Sequence, residues 1–263
     1  MARRVERPVV LGRTKERRTP KPSPRERAEE LHAQGMPFQL AMAVAHGRID
    51  LSTALERLAT QEKVERLMER HDLSRALATQ IAIGHASLEQ VLARRRMQSH
   101  RDENRTRSIL VDVAESGEAL ALALHQGQRA QGVVQHVERY AFSFLPDGFD
   151  EPVEIHKLQV KYAYRPEHWK QTRKALSFNK KLERAPLSPE SRPQDRYSLA
   201  DKRLFQAMDA DLDVEVTLLE GEVIRGKVRW FGRWEFGIEP KAGGEIVVFR
   251  HALAGFSTGR PGS

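Results

Sequence analysis

From Ala28 to Met97, apolar residues recur at three- and four-residue spacing in a stretch rich in Ala, Leu, Glu and Arg. That pattern predicts helices. Beyond Ser108 the period changes. Val214, Val216 and Leu218 alternate with Asp213, Glu215 and Thr217; Val228 and Trp230 alternate with Lys227 and Arg229; Trp234, Phe236 and Ile238 alternate again. A period of two predicts half-buried antiparallel strands. Glu220–Gly221 and Lys241–Gly244 supply turn chemistry between them. About five short strands over so short a stretch suit a small, strongly bent barrel closed at its edges.

Two internal repeats organise these segments. A shift of 37 residues aligns Ala41, Ala45, Gly47, Leu51, Leu55 and Arg57 with Ala78, Ala82, Gly84, Leu88, Leu92 and Arg94. In each copy an Ala-rich helix reaches a Gly and a new Leu-centred helix starts, with Asp50 and Ser87 as N-caps. Two packed helical hairpins are expected. A shift of 94, without gaps, aligns Gly127, Gly132, Val134, Arg139, Phe142, Pro146, Glu151 and Val153 with Gly221, Gly226, Val228, Arg233, Phe236, Pro240, Glu245 and Val247. Tyr140 meets Trp234. Eight identities in 27 positions exceed the one or two expected by chance, so the strand-forming segment is duplicated as well.

Charge separates connectors from folded segments. The net charge is +8, yet residues 1–27 carry +7, residues 94–107 carry +4 and residues 161–203 carry +7, which leaves −10 on the rest. Pro20, Pro22 and Pro24 alternate with polar residues in an extended arm, and three prolines break the chain between Ala185 and Pro193. Basic connectors serve either as solvated spacers or as phosphate contacts. Cysteine is absent, which excludes disulfides, thiol catalysis and cysteine zinc sites. No apolar run approaches the ~18 residues a bilayer span needs. The Arg-rich start lacks the apolar core of a signal peptide, so a cytoplasmic protein with no membrane partner is expected.

The strand segments resemble the Sm-like fold, particularly the Hfq-type RNA-binding family. The family's first motif, a strand, a Gly turn and a bent second strand with a central Gly, matches Val216–Glu220, Gly221, Val223–Arg225, Gly226 and Val228–Phe231. The second motif, an aromatic, two basic residues and a small apolar pair, matches Phe249, Arg250, His251, Ala252 and Leu253. Leu199–Met208, capped by Ser198, would be the helix before the first strand. The resemblance implies binding of single-stranded RNA by a stacking aromatic, a polar neighbour and a basic pair. These fall on Trp234, Arg233, Arg250 and His251 in the second copy, and on Tyr140, Arg139, His156 and Lys157 in the first. Because two barrels lie in one chain, either three chains close a pseudo-hexameric ring as a homo-oligomer, or the two barrels stay paired without forming a ring. The sequence departs from the family where Gly232 and Glu138 precede the Arg and where Arg replaces glutamine. Trp230, Trp234 and Phe236 could equally fill the core at period two.

The expected architecture is therefore α+β and multidomain: a basic disordered arm (1–27), a helical interaction module (28–97), two small Sm-like bent five-stranded antiparallel β-barrels (108–163 and 198–256), a basic linker (164–197) and a tail (257–263). Arg3, Arg4, Arg17 and Arg18 in the arm and Lys180 and Lys181 in the linker would attract RNA phosphates without reading sequence. The expected role is that of a post-transcriptional regulator or RNA chaperone. A protein adaptor on the ribosome or transcription machinery is the alternative, favoured by the net −5 of residues 108–160 and −2 of residues 204–263. DNA binding through the helical repeat is a weaker one, because residues 28–93 sum to −3; that module suits a protein partner better. No enzymatic chemistry, cofactor or metal is expected. Gly221–Val228 spells a string one residue short of a P-loop, with Val228 where Ser or Thr would hold magnesium. Deleting residues 1–27 is expected to weaken binding to every RNA sequence alike and to make the salt dependence shallower, measured by equilibrium titration across a salt series.

Overall fold

The computed structural model describes residues 22–259 of the chain. Arg3, Arg4, Arg17 and Arg18 lie outside the described residues. The protein is α+β and divides into two compact units at Val91/Leu92.

The first unit is helical. Helix α1 (Pro24–Ala33) starts at a capping box in which Ser23 and Glu26 bond each other's backbone N–H. It is followed by α2 (Phe38–Ala45), α3 (Leu51–His71), α4 (Arg75–Ala82) and the start of α5 (Leu88–Glu103). The 37-residue repeat recurs in the backbone: α4 is α2 shifted by that interval, and Gly47 and Gly84 both turn with positive φ, 70° and 82°. Two separate small cores result. Met36, Ala41 and Val44 build one, and their equivalents Leu73, Ala78 and Ile81 build the other. The two expected hairpins thus each have their own interior rather than a shared one.

The second unit begins within α5. Ala93 and Met97 pack against a β-sheet core, so residues that the helical period groups with the first unit belong here. The first β-repeat consists of α6 (Ile109–Ser116), β1 (Ala119–Leu124), β2 (Arg129–Val137), β3 (Ala141–Pro146), β4 (Val153–His156) and β5 (Val160–Tyr164). Between the repeats, the stretch expected as a linker carries α7 (Trp169–Ala175), β6 (Leu176–Phe178) and α8 (Lys180–Arg184), and β6 pairs with β8. The second repeat is α9 (Asp201–Asp209), β7 (Asp213–Leu218), β8 (Glu222–Phe231), β9 (Glu235–Glu239), β10 (Ile246–Phe249) and β11 (Leu253–Thr258). The near-P-loop string lies largely in β8, as paired strand rather than as a loop.

The two repeats agree to the residue through their third strands. Ala119 opposes Val133 as Asp213 opposes Lys227, and both second strands break register at the same place, Val134/His136 and Val228/Trp230. Each bulge bends the strand. After the third strand the interval drops by one. Phe142 opposes Ile155, but Phe236 opposes Val248, so Arg250 is the equivalent of Lys157 and His251 of Leu158. The gapless alignment of Glu151 with Glu245 and Val153 with Val247 is therefore displaced by one residue, and His156 corresponds to Phe249.

The strands run in the order β11-β7-β8-β9-β10-β5-β1-β2-β3-β4 as one open antiparallel sheet. This corrects the expectation of two small closed barrels. The outer edge of β10, instead of returning to its own repeat, pairs with β5: Ile246 opposes Tyr164, Val247 opposes Ala163 and Val248 opposes Tyr162. Alternate residues of these two strands enter different cores. Ile246, Val248, Tyr162 and Tyr164 join one, while Val247 and Ala163 join the other. A buried ionic cluster spans the same join: Lys161 of β5 contacts Glu220 and Glu222, and His125 Nδ1 lies 2.9 Å from Glu220 Oε1. Burial works against the Glu220 charge, but hydrogen bonds from Lys161, the Gln126 N–H and His125 hold its pKa down at about 2.

The central glycines of the bent strands have a steric cause. A Cβ on Gly132 would lie 2.0 Å from Leu145 O, and one on Gly226 would lie 2.4 Å from Glu239 O. Both contacts are with backbone of the next strand, which cannot swing away. Gly226→Ala and Gly132→Ala are each expected to cost roughly 2–4 kcal/mol, read as a lowered midpoint in chemical denaturation.

Candidate nucleic-acid interface

In both repeats the turn after the bent strand presents an Arg–aromatic pair. The Arg139 guanidinium lies 5.0 Å from the Tyr140 ring centroid, and that of Arg233 lies 4.6 Å from Trp234. Tyr140 is 60% exposed and Trp234 is 59% exposed. Their neighbours at period two, Phe142, Trp230 and Phe236, are buried. The turn residue escapes the core because it sits between strands, where the alternation does not hold. Large aromatics left in solvent beside a guanidinium form a surface on which a flat ring can stack.

The residues after the fourth strand hold this turn from behind. The Lys157 N–H donates to Tyr140 O at 2.8 Å, and the Arg250 N–H donates to Trp234 O at 2.8 Å. The Arg250 side chain points elsewhere, whereas that of Lys157 returns to the start of its turn. Arg250 donates to Leu199 O at 3.2 Å and to Asp201 Oδ1 at 2.8 Å, anchoring the start of α9. His251 is partly buried, and desolvation pushes its pKa down to about 4, so it is neutral at pH 7. Lys157 Nζ donates to Glu138 O, and His156 Nδ1 accepts from the Leu158 N–H at 3.1 Å. The structure thus gathers Arg233 with Trp234 and Arg139 with Tyr140 at the surface, and holds the Arg250 side chain against the start of α9 and His251 beside the Phe249 ring. Lys180 and Lys181 are exposed on α8, whose N-cap Asn179 accepts from their turn.

At the second repeat a groove adjoins this turn. This open groove of about 540 Å³ is lined by Gln98, Arg101, Asp102, Arg105, Asp201, Phe231, Gly232 and Arg233. Arg101 pairs with Asp201 at 3.2 Å, whereas Arg105 and Arg233 are exposed. The end of α5 and the chain after it are clamped along the end of β8. His100 Nε2 accepts from the Phe231 N–H at 3.2 Å, and Arg107 lies 4.1 Å from the Trp230 centroid. Arg101 and Arg105 belong to the basic segment 94–107, visible in the sequence as charge but without any signal of which turn it would meet.

Beneath the groove Glu235 is buried where the first repeat has Ala141. Its Oε1 accepts the Ile109 N–H at 2.7 Å, at the start of α6. Burial pushes its pKa up to about 7, despite the hydrogen bonds from Ile109 and Ser108. The carboxyl is acceptor and anchor for α6 whichever form it takes.

Neither a protein-family model nor a curated protein matches the sequence. No helix among the described residues is long and apolar enough to cross a membrane.

The buried acid dictates a pH dependence. A carboxyl with a folded pKa near 7 against an ordinary 4.5 stabilises the fold fully below its unfolded pKa, and loses that contribution as pH rises through 7. His251 runs the other way, its contribution present above about 6.5 and lost as pH falls through 4. Comparison with a variant isolates the acid. Glu235→Gln is expected to gain roughly 1–3 kcal/mol relative to the unaltered protein between pH 4.5 and 7.5, measured by denaturation at the two pH values.

Proposed function

We propose that this protein is an Sm-like, Hfq-type binder of single-stranded RNA, acting as a post-transcriptional regulator or RNA chaperone. The observation that carries this reading is the repeated Arg–aromatic turn: Arg139 with Tyr140 and Arg233 with Trp234, solvent-exposed at equivalent positions of two duplicated units. Its support is chemical. Exposed aromatics cost solvation, and an unpacked Tyr and Trp in matching turns offer two base platforms on one chain. The guanidinium above each ring can reach a phosphate or a base edge. Around the second platform Arg105 and Arg233 offer positive charge in the groove, where Arg101 is paired with Asp201, so a strand stacked on Trp234 would lay its backbone there. The order of helix, strand, Gly turn and bent second strand in each repeat agrees with the family resemblance, and the tight backbone at Gly132 and Gly226 gives its central Gly a reason. Arg250 enters this reading through its backbone N–H, which supports the turn, and neither its guanidinium nor His251 enters as a contact.

The acidic balance of both repeats favours a second reading, a protein adaptor whose basic connectors alone touch nucleic acid. Binding of the full chain to U-rich, A-rich and mixed RNA across a salt series separates the two. Trp234→Ala and Tyr140→Ala are expected to weaken RNA binding by about 5- to 150-fold each, the equivalent of ~1–3 kcal/mol of stacking, with unfolding unchanged because both rings are exposed. Unchanged affinity in the double variant, with binding that collapses equally for all sequences as salt rises, would replace the RNA-pocket reading by the adaptor.

A further inference from the structure

A sheet that joins two repeats edge to edge leaves two more edges of the same kind. Among the described residues β4 pairs only with β3, and β11 pairs only with β7. These are the strands equivalent to β10 and β5, which meet inside the chain. Transferring that internal register to the ends would set Val153 opposite Ser257, Glu154 opposite Phe256 and Ile155 opposite Gly255. A second copy of the chain is thus the partner that the outer edges fit, in a head-to-tail contact that does not close on itself as a dimer.

One of the two edges is occupied. Phe256 sits where the first repeat has Ala163, whose partner across the internal join is Val247. At Phe256 the edge groups are bonded to side chains of the same chain. The Phe256 N–H donates to the Tyr197 hydroxyl at 3.2 Å, and Arg203 Nη2 donates to Phe256 O at 2.9 Å. Arg203 Nη1 also donates to the Tyr197 hydroxyl at 3.3 Å, and its guanidinium lies 5.3 Å from the Phe256 ring. The first repeat has no such device: Ile109 of α6 takes the place of Arg203 of α9. Side chains that satisfy an edge in this way remove the donor and acceptor that an incoming strand would use.

We infer that Tyr197 and Arg203 form a plug on the β11 edge that prevents one chain from adding its β4 to the sheet of the next. The plug holds the molecule at two repeats. Its loss exposes the Phe256 N–H and C=O in the setting in which Ala163 receives β10, and β4 of a second copy supplies the matching strand, with Val153, Glu154 and His156 exposed along it.

The test uses the full chain and its mass by sedimentation velocity over a concentration series. The unaltered protein is expected to sediment as a single chain. Tyr197→Phe combined with Arg203→Ile keeps the aromatic packing and installs the first repeat's residue, and is expected at least to double the weight-average mass as concentration rises. Adding Glu154→Pro is expected to restore the single chain. Glu154 is the equivalent of Val247, whose backbone faces β5, so proline there removes an outward donor and spares the β3 ladder. Self-association of the unaltered protein through this edge, a plug-less variant that stays a single chain with native circular dichroism, or assembly that Glu154→Pro leaves intact, would each overturn the inference. Thermal unfolding of every variant identifies one that has simply failed to fold.

Discussion

Three residue pairs carry the sheet. Where β10 meets β5, Ile246, Val247 and Val248 oppose Tyr164, Ala163 and Tyr162, and all six are buried. Because side chains alternate across a strand, this short ladder feeds two cores at once. One core takes Ala121, Ala123, Tyr162 and Tyr164 from the first repeat alongside Val214, Phe236 and Leu253 from the second. The other takes Trp230, Val247 and Phe249 from the second repeat alongside Leu120, Phe142 and Ile155 from the first. Neither repeat encloses an interior alone. Burying such side chains contributes about 1.5–3 kcal/mol each, so the join is a condition of folding rather than a docking of finished domains. The buried Lys161 cluster acts on the same seam, its geometry tying β5 to the β7–β8 turn. An ion pair in that setting is weak evidence for stability, and serves better as a specifier of which strands meet.

Duplication with divergence explains how one frame has acquired unequal halves. Strands one to three superimpose in register, bulge included, since the bend and the crowded central glycine leave little freedom. The differences sit where the frame is permissive. Glu235 replaces Ala141 and takes hold of α6; Arg203 replaces Ile109 and takes hold of β11; the turn before β10 is one residue shorter. Each substitution puts a hydrogen-bonding side chain against backbone that would otherwise lack a partner. The Arg–aromatic turns, by contrast, have kept the same geometry in both halves, although no packing demand holds Tyr140 or Trp234 where it is.

Local pattern carries far in this chain. The helical period, the Asp50 cap, the glycine turns and the alternation of Val214, Val216 and Leu218 are properties of neighbouring residues, and they are readable as such. Both repeat intervals are readable too, and with them the pairing of Arg139–Tyr140 with Arg233–Trp234. Alternation misleads where a turn interrupts it, since Trp230, Trp234 and Phe236 look alike at period two and the interruption at Gly232 sends Trp234 into solvent. It misleads again in β9, where Glu235 is buried beside Phe236. Arg250 and His251 show the opposite case. Their motif is plain in the sequence, yet Asp201, 49 residues away in the chain, claims the guanidinium, and burial keeps the imidazole neutral.

The sequence by itself determined the α+β class, the helical character of residues 28–97, the strands of the second repeat, the two duplications and the basic character of the connectors, because helix and strand periods and turn chemistry act over a few residues. Tertiary structure alone decided that the ten strands of the repeats run on as one sheet, that the groove by Trp234 draws on Arg101 and Arg105, and which edge is plugged. Those outcomes depend on backbone hydrogen bonds and charges meeting across 50 to 130 residues of chain, and strand edges satisfied by one partner or another look the same in the composition of either strand.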